Sequence, residues 1–246
     1  MEHSNIPCRT WAIGIYLYTT NIKGISSMKL HRELGIGQKA AWFMLHRLRK
    51  ASLVFKGKKF IGKVEVDETY IGGKGINMSN KKRAELKDSG RGTTGKTAII
   101  GIKSRKTNEI DAQVVDSTDK NTIHPFIEQH IENSNKNKKD DSTVIYTDDS
   151  KVYQSLDYEH EAVCHSLSEY VKDVAHTNSI ESFWAMFKRG YHGIYHHMSK
   201  KHIGHYFDEF CYRHNHRERN TIDQISMIVT DVVGKQITYK QLIQST

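Results

Sequence analysis

Acidic residues are almost missing from the first 60 positions of this 246-residue chain, where Glu2 and Glu33 stand against eleven Lys or Arg. The formal charge of +9 therefore lies entirely in that segment, because residues 61–246 balance at 26 of each sign. Cysteine is also scarce: Cys8, Cys164 and Cys211 are isolated, odd in number and unlike any CxxC pairing. Neither a disulfide framework nor a cysteine zinc site is indicated. Long apolar runs are missing as well. The longest, Trp11 to Tyr18, is too short to span a bilayer, and the N-terminus lacks the basic-then-apolar-then-small pattern of a secretory signal. Internal repeats, targeting motifs and low-complexity tracts are not seen. A cytoplasmic, non-membrane protein is the expectation, with length for one large domain or one with an appendage.

What is present begins with that basic segment. Trp11–Thr19, Ser26–Leu34 and Gln38–Lys50 read as three helices, with Ser26 or Ser27 as a cap and Gly35-Ile36-Gly37 as the break. In the third, Ala41, Leu45 and Leu48 form an i, i+4, i+7 stripe, which leaves Gln38, Lys39, Trp42, His46, Arg47 and Arg49 largely on other faces. A short helix, a glycine turn and a basic helix make a helix-turn-helix pattern, whose last helix would enter a major groove. Concentrated positive charge beside it is the footprint of contacts to a phosphate backbone. Gln38, Lys39 and Arg47 are the DNA-binding candidates here.

From Lys63 the period changes. Lys63–Ile71, Lys96–Ser104, Glu109–Asp116 and Ser142–Thr147 read as strands, and His160–Ser166 as a fifth. Asp119–Glu132 reads as a helix with Pro125 in its first turns, Ser150–Leu156 as a short one, and Asn178–Tyr191 as a strong one. Three strands, a helix, a strand, a helix, a strand and a helix is the ribonuclease H-like order: an α/β core with a mixed five-stranded sheet and flanking helices. Helices return over Lys200–Arg217 and Thr221–Val233, where Tyr206, Phe207, Phe210 and Tyr212 are expected to pack the tail onto that core. The expected domains are a helix-turn-helix module at 1–60, a catalytic domain at 61–198 and a helical extension at 199–246. The glycine-rich loop 72–95 carries Lys81, Lys82 and Arg83, candidates for gripping DNA. Residues 133–142 read as a solvated turn.

Three carboxylates carry the chemistry: Asp67 closing Val64-Glu65-Val66-Asp67, Asp148 closing Val144-Ile145-Tyr146-Thr147-Asp148, and Glu181 opening the last strong helix. Two hard divalent cations about 4 Å apart can activate an attacking oxygen and stabilise a departing one when carboxylates from separate elements converge on them. Strand alternation puts Glu65 on Asp67's face and turns Glu68 away. Each acid also has an ordinary structural reading. Asp67 could cap a turn, Asp148 or Asp149 could cap the following helix, and Glu181 fits a capping box with Asn178. Against the last, Ile180, Trp184 and Phe187 form a buried stripe while Glu181 and Lys188, two turns or about 10 Å apart, share another face. That face would suit a passing DNA backbone. Among fifteen histidines, including His192, His196, His197, His202 and His205, no spacing is cleaner than His202-x-x-His205, which does not by itself specify a zinc site. His176, beside the proposed catalytic helix, could contact DNA, the acids or only its own loop.

These residues resemble bacterial insertion-sequence DDE transposases of the ISXO-like group, from about Trp11 to Leu242. The stretches that carry the resemblance are Lys23-Gly24-Ile25-Ser26-Ser27, Gln38 through Arg47, Val64-Glu65-Val66-Asp67-Glu68-Thr69-Tyr70-Ile71-Gly72-Gly73, Tyr146-Thr147-Asp148, His176 through Trp184, Lys188-Arg189-Gly190 and Tyr195-His196-His197. The resemblance implies a ribonuclease H-like domain that binds Mg²⁺ (two ions, with Mn²⁺ as a substitute) and recognises the terminal inverted repeats of its element. Carried over by position, Asp67, Asp148 and Glu181 are the triad and metal ligands, and Lys188 is the accompanying basic residue. In some relatives an asparagine replaces the last acid, which makes Asn178 an alternative contact; Lys188 and Arg189 complete the DNA-binding set. The expected activity is cleavage of element ends and transfer of the 3′-hydroxyl into double-stranded target DNA, by a homo-oligomer associated with the bacterial nucleoid. Members commonly carry a cysteine-rich zinc ribbon upstream of the helix-turn-helix, which this chain starts too late to contain. A truncated start, or end binding by the helical module alone, is the expectation. The rival readings are a shortened, non-cutting DNA-binding product that regulates the element, and a nuclease of the same fold without strand transfer.

Overall fold

The computed structural model describes residues 4–52, 59–72, 95–132, 143–148, 152–153, 158–163 and 177–244. Lys81, Lys82, Arg83, Asp149, Cys164, His176, the turn at 133–142 and most of the short helix expected at Ser150–Leu156 lie outside them. The chain divides into two compact units, Gly57–Ala185 with His197–Lys201, and Met1–Lys56 with Met186–His196 and His202–Thr246.

The first unit is the α/β core. Among the described residues, β1 (Lys63–Ile71), β2 (Thr97–Ser104), β3 (Ile110–Val115), β4 (Val144–Asp148) and β5 (Glu159–Val163) form one sheet in the order β3-β2-β1-β4-β5. β1 and β2 pair antiparallel, as do β2 and β3, while β4 runs parallel to β1 and β5 parallel to β4. This is a ribonuclease H-like arrangement, mixed and five-stranded as the order of elements predicts. Its strands form where β-branched residues are dense: Val64, Val66, Ile99, Ile100, Ile102 and Ile145 are all fully buried. Between β3 and β4 lies α4 (Lys120–His130), capped by Asp119, whose side chain accepts from the Thr122 amide. The helix α5 (Asn178–Gly190) follows β5 and covers the sheet with Ile180, Phe183 and Trp184, each nearly or fully buried. Gly101 on β2 makes room for it, since a Cβ there would stand 2.6 Å from the Trp184 ring. From Met186 onward α5 belongs to the second unit.

The second unit is helical. α1 (Cys8–Thr20), α2 (Ser27–Leu34) and α3 (Gln38–Ala51) match the three expected helices. Ser26 caps α2 through the Lys29 amide at 3.1 Å, and Gly35 ends it in the left-handed region at φ +64. A π-helical turn (Tyr191–Tyr195) continues α5, and α6 (Ile203–Asn215), α7 (Thr221–Val232) and α8 (Tyr239–Ile243) follow. Two expectations are corrected here. The tail is not a separate extension: Tyr212, Ile228 and Val232 share one core with Trp11, Ile15, Leu45 and Leu48 of the N-terminal helices. His46 and Arg49, expected on outer faces of α3, are buried, because α3 packs against α6 and α7 as well as against α1 and α2. Arg49 pairs with Glu209 at 2.7 Å, Arg213 reaches the same carboxylate at 2.7 Å, and the Tyr195 hydroxyl donates to it at 3.3 Å. No helix among the described residues is long and apolar enough to cross a membrane.

Candidate active site

β1 and β4 are parallel neighbours at the point where the sheet order reverses, the usual place for a ligand crevice. Their last registered pair is Glu65 with Tyr146. Asp67 and Asp148 each stand two residues beyond it, so the register brings both acids level, Asp148 closing β4 and Asp67 in the middle of β1. Ligand oxygens of Asp67, Glu68 and Asp148 all lie within 4.8 Å of one another. Glu68 corrects the expectation from alternation, which turned it away. Past Glu65 β1 stays paired with β2 while its described pairing with β4 has ended, so its β4 side is open and the longer glutamate reaches the gap from there.

The surroundings of the three acids differ. Asp67 accepts from the Trp184 indole Nε1 at 3.0 Å and from the Glu68 amide at 2.8 Å. Burial nonetheless pushes it up to about 6, helped by the charges of Asp148 and Glu181. Glu68 accepts a hydrogen bond from the Tyr153 hydroxyl and is pushed up to about 7, by burial first and then by Asp148 and Asp67. Asp148 Oδ1 is buried with no hydrogen-bond partner among the described residues. A carboxylate oxygen in that state is costly unless a proton or cation meets it.

Glu65 has a different task. Fully buried, it accepts from Arg105 Nε at 2.9 Å and from the Ile180 amide at 2.9 Å, so a strand carboxylate satisfies a first-turn amide of α5. Arg105 lies over the Tyr146 ring at 3.7 Å, and Lys103 Nζ donates to the Ser179 carbonyl at 2.9 Å. The start of α5 is thereby fixed to β1 and β2. That arrangement stands where the rival structural reading of Glu181 placed an Asn178 capping box. The helix already begins at Asn178, and Glu181 accepts from Thr177 Oγ1 at 3.1 Å.

Of the sequence-predicted residues, the structure brings Asp67 and Asp148 together. Glu181 is exposed and outside the group of three, though close enough for its charge to act on Asp67. Asn178 is exposed at the start of α5, and Lys188 and Arg189 are exposed in its last turn. In the helical unit Gln38 donates to Ser27 Oγ at 3.0 Å, Lys39 lies over the Tyr239 ring at 4.3 Å, and half-buried Arg47 lies over Trp11 at 5.5 Å. Glu68, Tyr153, Gly101 and the indole N–H of Trp184 were missed by sequence reasoning. Trp184 was visible only as an apolar stripe residue, and the pairing of Gly101 with Asp67 across the ladder is a matter of register.

Three converging carboxylates, one with an oxygen unpartnered among the described residues, form an all-oxygen donor set, the kind that hard divalent cations take. The residues fit such an ion. Residues 59–215 match the family described as the ISXO2-like transposase domain. The chain belongs to that transposase family. The match opens just before β1 and runs through α6, so all the acids of the site fall inside it, whereas α1 to α3 lie outside. No curated protein matches the chain.

Proposed function

We propose that this insertion-sequence transposase cuts the phosphodiester at its element's ends and directs the freed 3′-hydroxyl against target DNA, with Asp67, Asp148 and Glu181 as its acids. The observation that carries the reading is the convergence of Asp67, Glu68 and Asp148 around an unpartnered Asp148 oxygen inside the family-matched domain. Asp67 and Asp148 hold divalent cations, Mg²⁺ or Mn²⁺, with Glu68 as an added neighbour and Glu181 from α5. Bound there as a pair, such ions supply Lewis-acid activation of the attacking oxygen and charge stabilisation of the leaving one. The chain's own part is to set the acids. Trp184 orients Asp67 through one oxygen, and Glu65 with Arg105 anchors the helix that carries Glu181. Tyr153 orients Glu68. Lys188 holds a nearby phosphate, with Arg189, Asn178 and the loop residues Lys81, Lys82 and Arg83 along the same DNA, and Gln38, Lys39 and Arg47 contact the inverted repeats. Bringing two ends together calls for a homo-oligomer.

The test is a metal-dependent assay with cognate ends and a target duplex. Joined product from the unaltered chain, absent with Asp67→Asn, is expected. Full activity of that variant would overturn the assignment, while cut but unjoined DNA would favour a nuclease and bound but uncut DNA a regulator.

A further inference from the structure

His46 is fully buried on α3, and both its ring nitrogens lack a hydrogen-bond partner among the described residues. Leaving two polar atoms unsatisfied in a core is costly. Such an orphan is explained by a water, an ion or a functional role. What faces it is two more imidazoles. The His202 ring centroid is 4.9 Å away and that of His205 5.8 Å, with 6.4 Å between those two. His202 and His205 are half-buried, spaced i, i+3 at the start of α6, so the cluster has a buried floor and a rim open to solvent.

We propose that His46, His202 and His205 form a second metal site, taking one borderline divalent ion of the Zn²⁺ class through three imidazole nitrogens. Zinc–nitrogen bonds of about 2.0–2.1 Å place a ring centroid roughly 3.2 Å from the metal, so a tetrahedral three-histidine site needs centroids about 5 Å apart. Two of the three separations are near that value already, and the third needs the solvent-side rings to close by about 1 Å. The carboxylate group of the active site is the one set among the described residues whose ligand atoms already converge, so the imidazoles must turn. Turning is cheap. The Cβ–Cγ axis passes close to the ring centre, so rotation about χ2 swings the nitrogens while leaving the centroid nearly in place, and that torsion is broad for histidine.

The surroundings are consistent with a ligand role. His46 is pushed down to about 2 by burial, then by Arg49, His202 and His205, and so is the neutral base a metal requires. The positive Arg49 is offset by its pairing with Glu209, and Asp208 lies 3.7 Å from His205 Nδ1, where a carboxylate would orient that ring with Nε2 toward the ion. Trp42 stands edge-on to His46 at 4.5 Å and to His202 at 5.5 Å, an apolar wall on one side. Imidazole donors select a different metal from the carboxylates of the active site.

Co²⁺ titration of the full-length protein, followed by visible absorption, tests the site independently of transposition. A strong ligand-field band saturating at about one equivalent is expected, because tetrahedral nitrogen-ligated Co²⁺ absorbs far more strongly than octahedral oxygen-bound Co²⁺. His202→Ala and His205→Ala, both at the rim and checked for folding by circular dichroism, should each weaken that binding at least ~10-fold. Asp148→Asn should leave the band intact. Absence of the band, as a buried water at His46 would give, or a band that survives both rim substitutions, overturns the proposal.

Discussion

Glu209 in the helical unit and Asp67 in the α/β unit are both buried carboxylates, and they have been given opposite company. Burial alone would raise Glu209, but Arg49 and Arg213 outweigh it and hold the group below its ordinary range. Around Asp67 the neighbours are Glu68 and Asp148, and burial with like charge raises it instead. Among the described residues no Lys or Arg pairs with any of these three acids. One cluster is neutralised by the chain itself, and the other, among the described residues, is not. The difference separates a structural ion pair from the proposed reaction centre, although both look alike as buried acids.

Breaking the second cluster should have the largest effect on activity and little on folding. Asp148→Asn is expected to lower strand transfer about 10³-fold or more, measured with cognate ends, while the thermal midpoint of the metal-free protein holds or rises, because one of three crowded acids has been removed. Breaking the first cluster should do the reverse. Glu209→Ala leaves two buried guanidinium groups uncompensated and is expected to cost about 3–5 kcal/mol in a denaturant titration. A smaller effect follows from the support under Asp67: Gly101→Ala drives a methyl to 2.6 Å from the Trp184 ring and is expected to cost about 1–3 kcal/mol. Trp184→Phe, which keeps most of the packing and loses the N–H to Asp67, should lose about 1.5–3 kcal/mol in the same titration.

The smallest effect is a pH dependence. Asp67 and Glu68 titrate higher in the fold than in the unfolded chain, so the native state binds more protons between about pH 4 and 7. Their contribution to stability must therefore fall as pH rises through that window. A divalent cation replaces those protons, so Mg²⁺ should raise the thermal midpoint more at pH 8 than at pH 5.

Much of this was legible in the chain. Lys63–Ile71 is a strand at the predicted bounds because a Val-rich run is closed by glycines, and Gln38 opens α3 because Gly35 and Gly37 break the helix before it. Asp148 was readable as a strand-end acid because it closes an apolar run, whereas Asp67, read the same way, lies in the middle of β1. Glu68 was not, because alternation turns it from Asp67's face and does not show that the β4 side of β1 is open past Glu65. Nor were Arg49 with Glu209 or Glu65 with the Ile180 amide, pairs separated by 160 and 115 residues. Local pattern has no access to such separations. The five-residue α8, held by a capping box between Thr238 and Gln241, is too short for a periodicity to emerge.

The most direct test of the central claim is a Mn²⁺ titration followed by electron paramagnetic resonance, on the unaltered protein and on Asp148→Asn with unchanged circular dichroism. Mn²⁺ bound by the first and lost from the second is the predicted result. Equal binding by both would contradict the assignment of Asp67, Glu68 and Asp148 as the cation site.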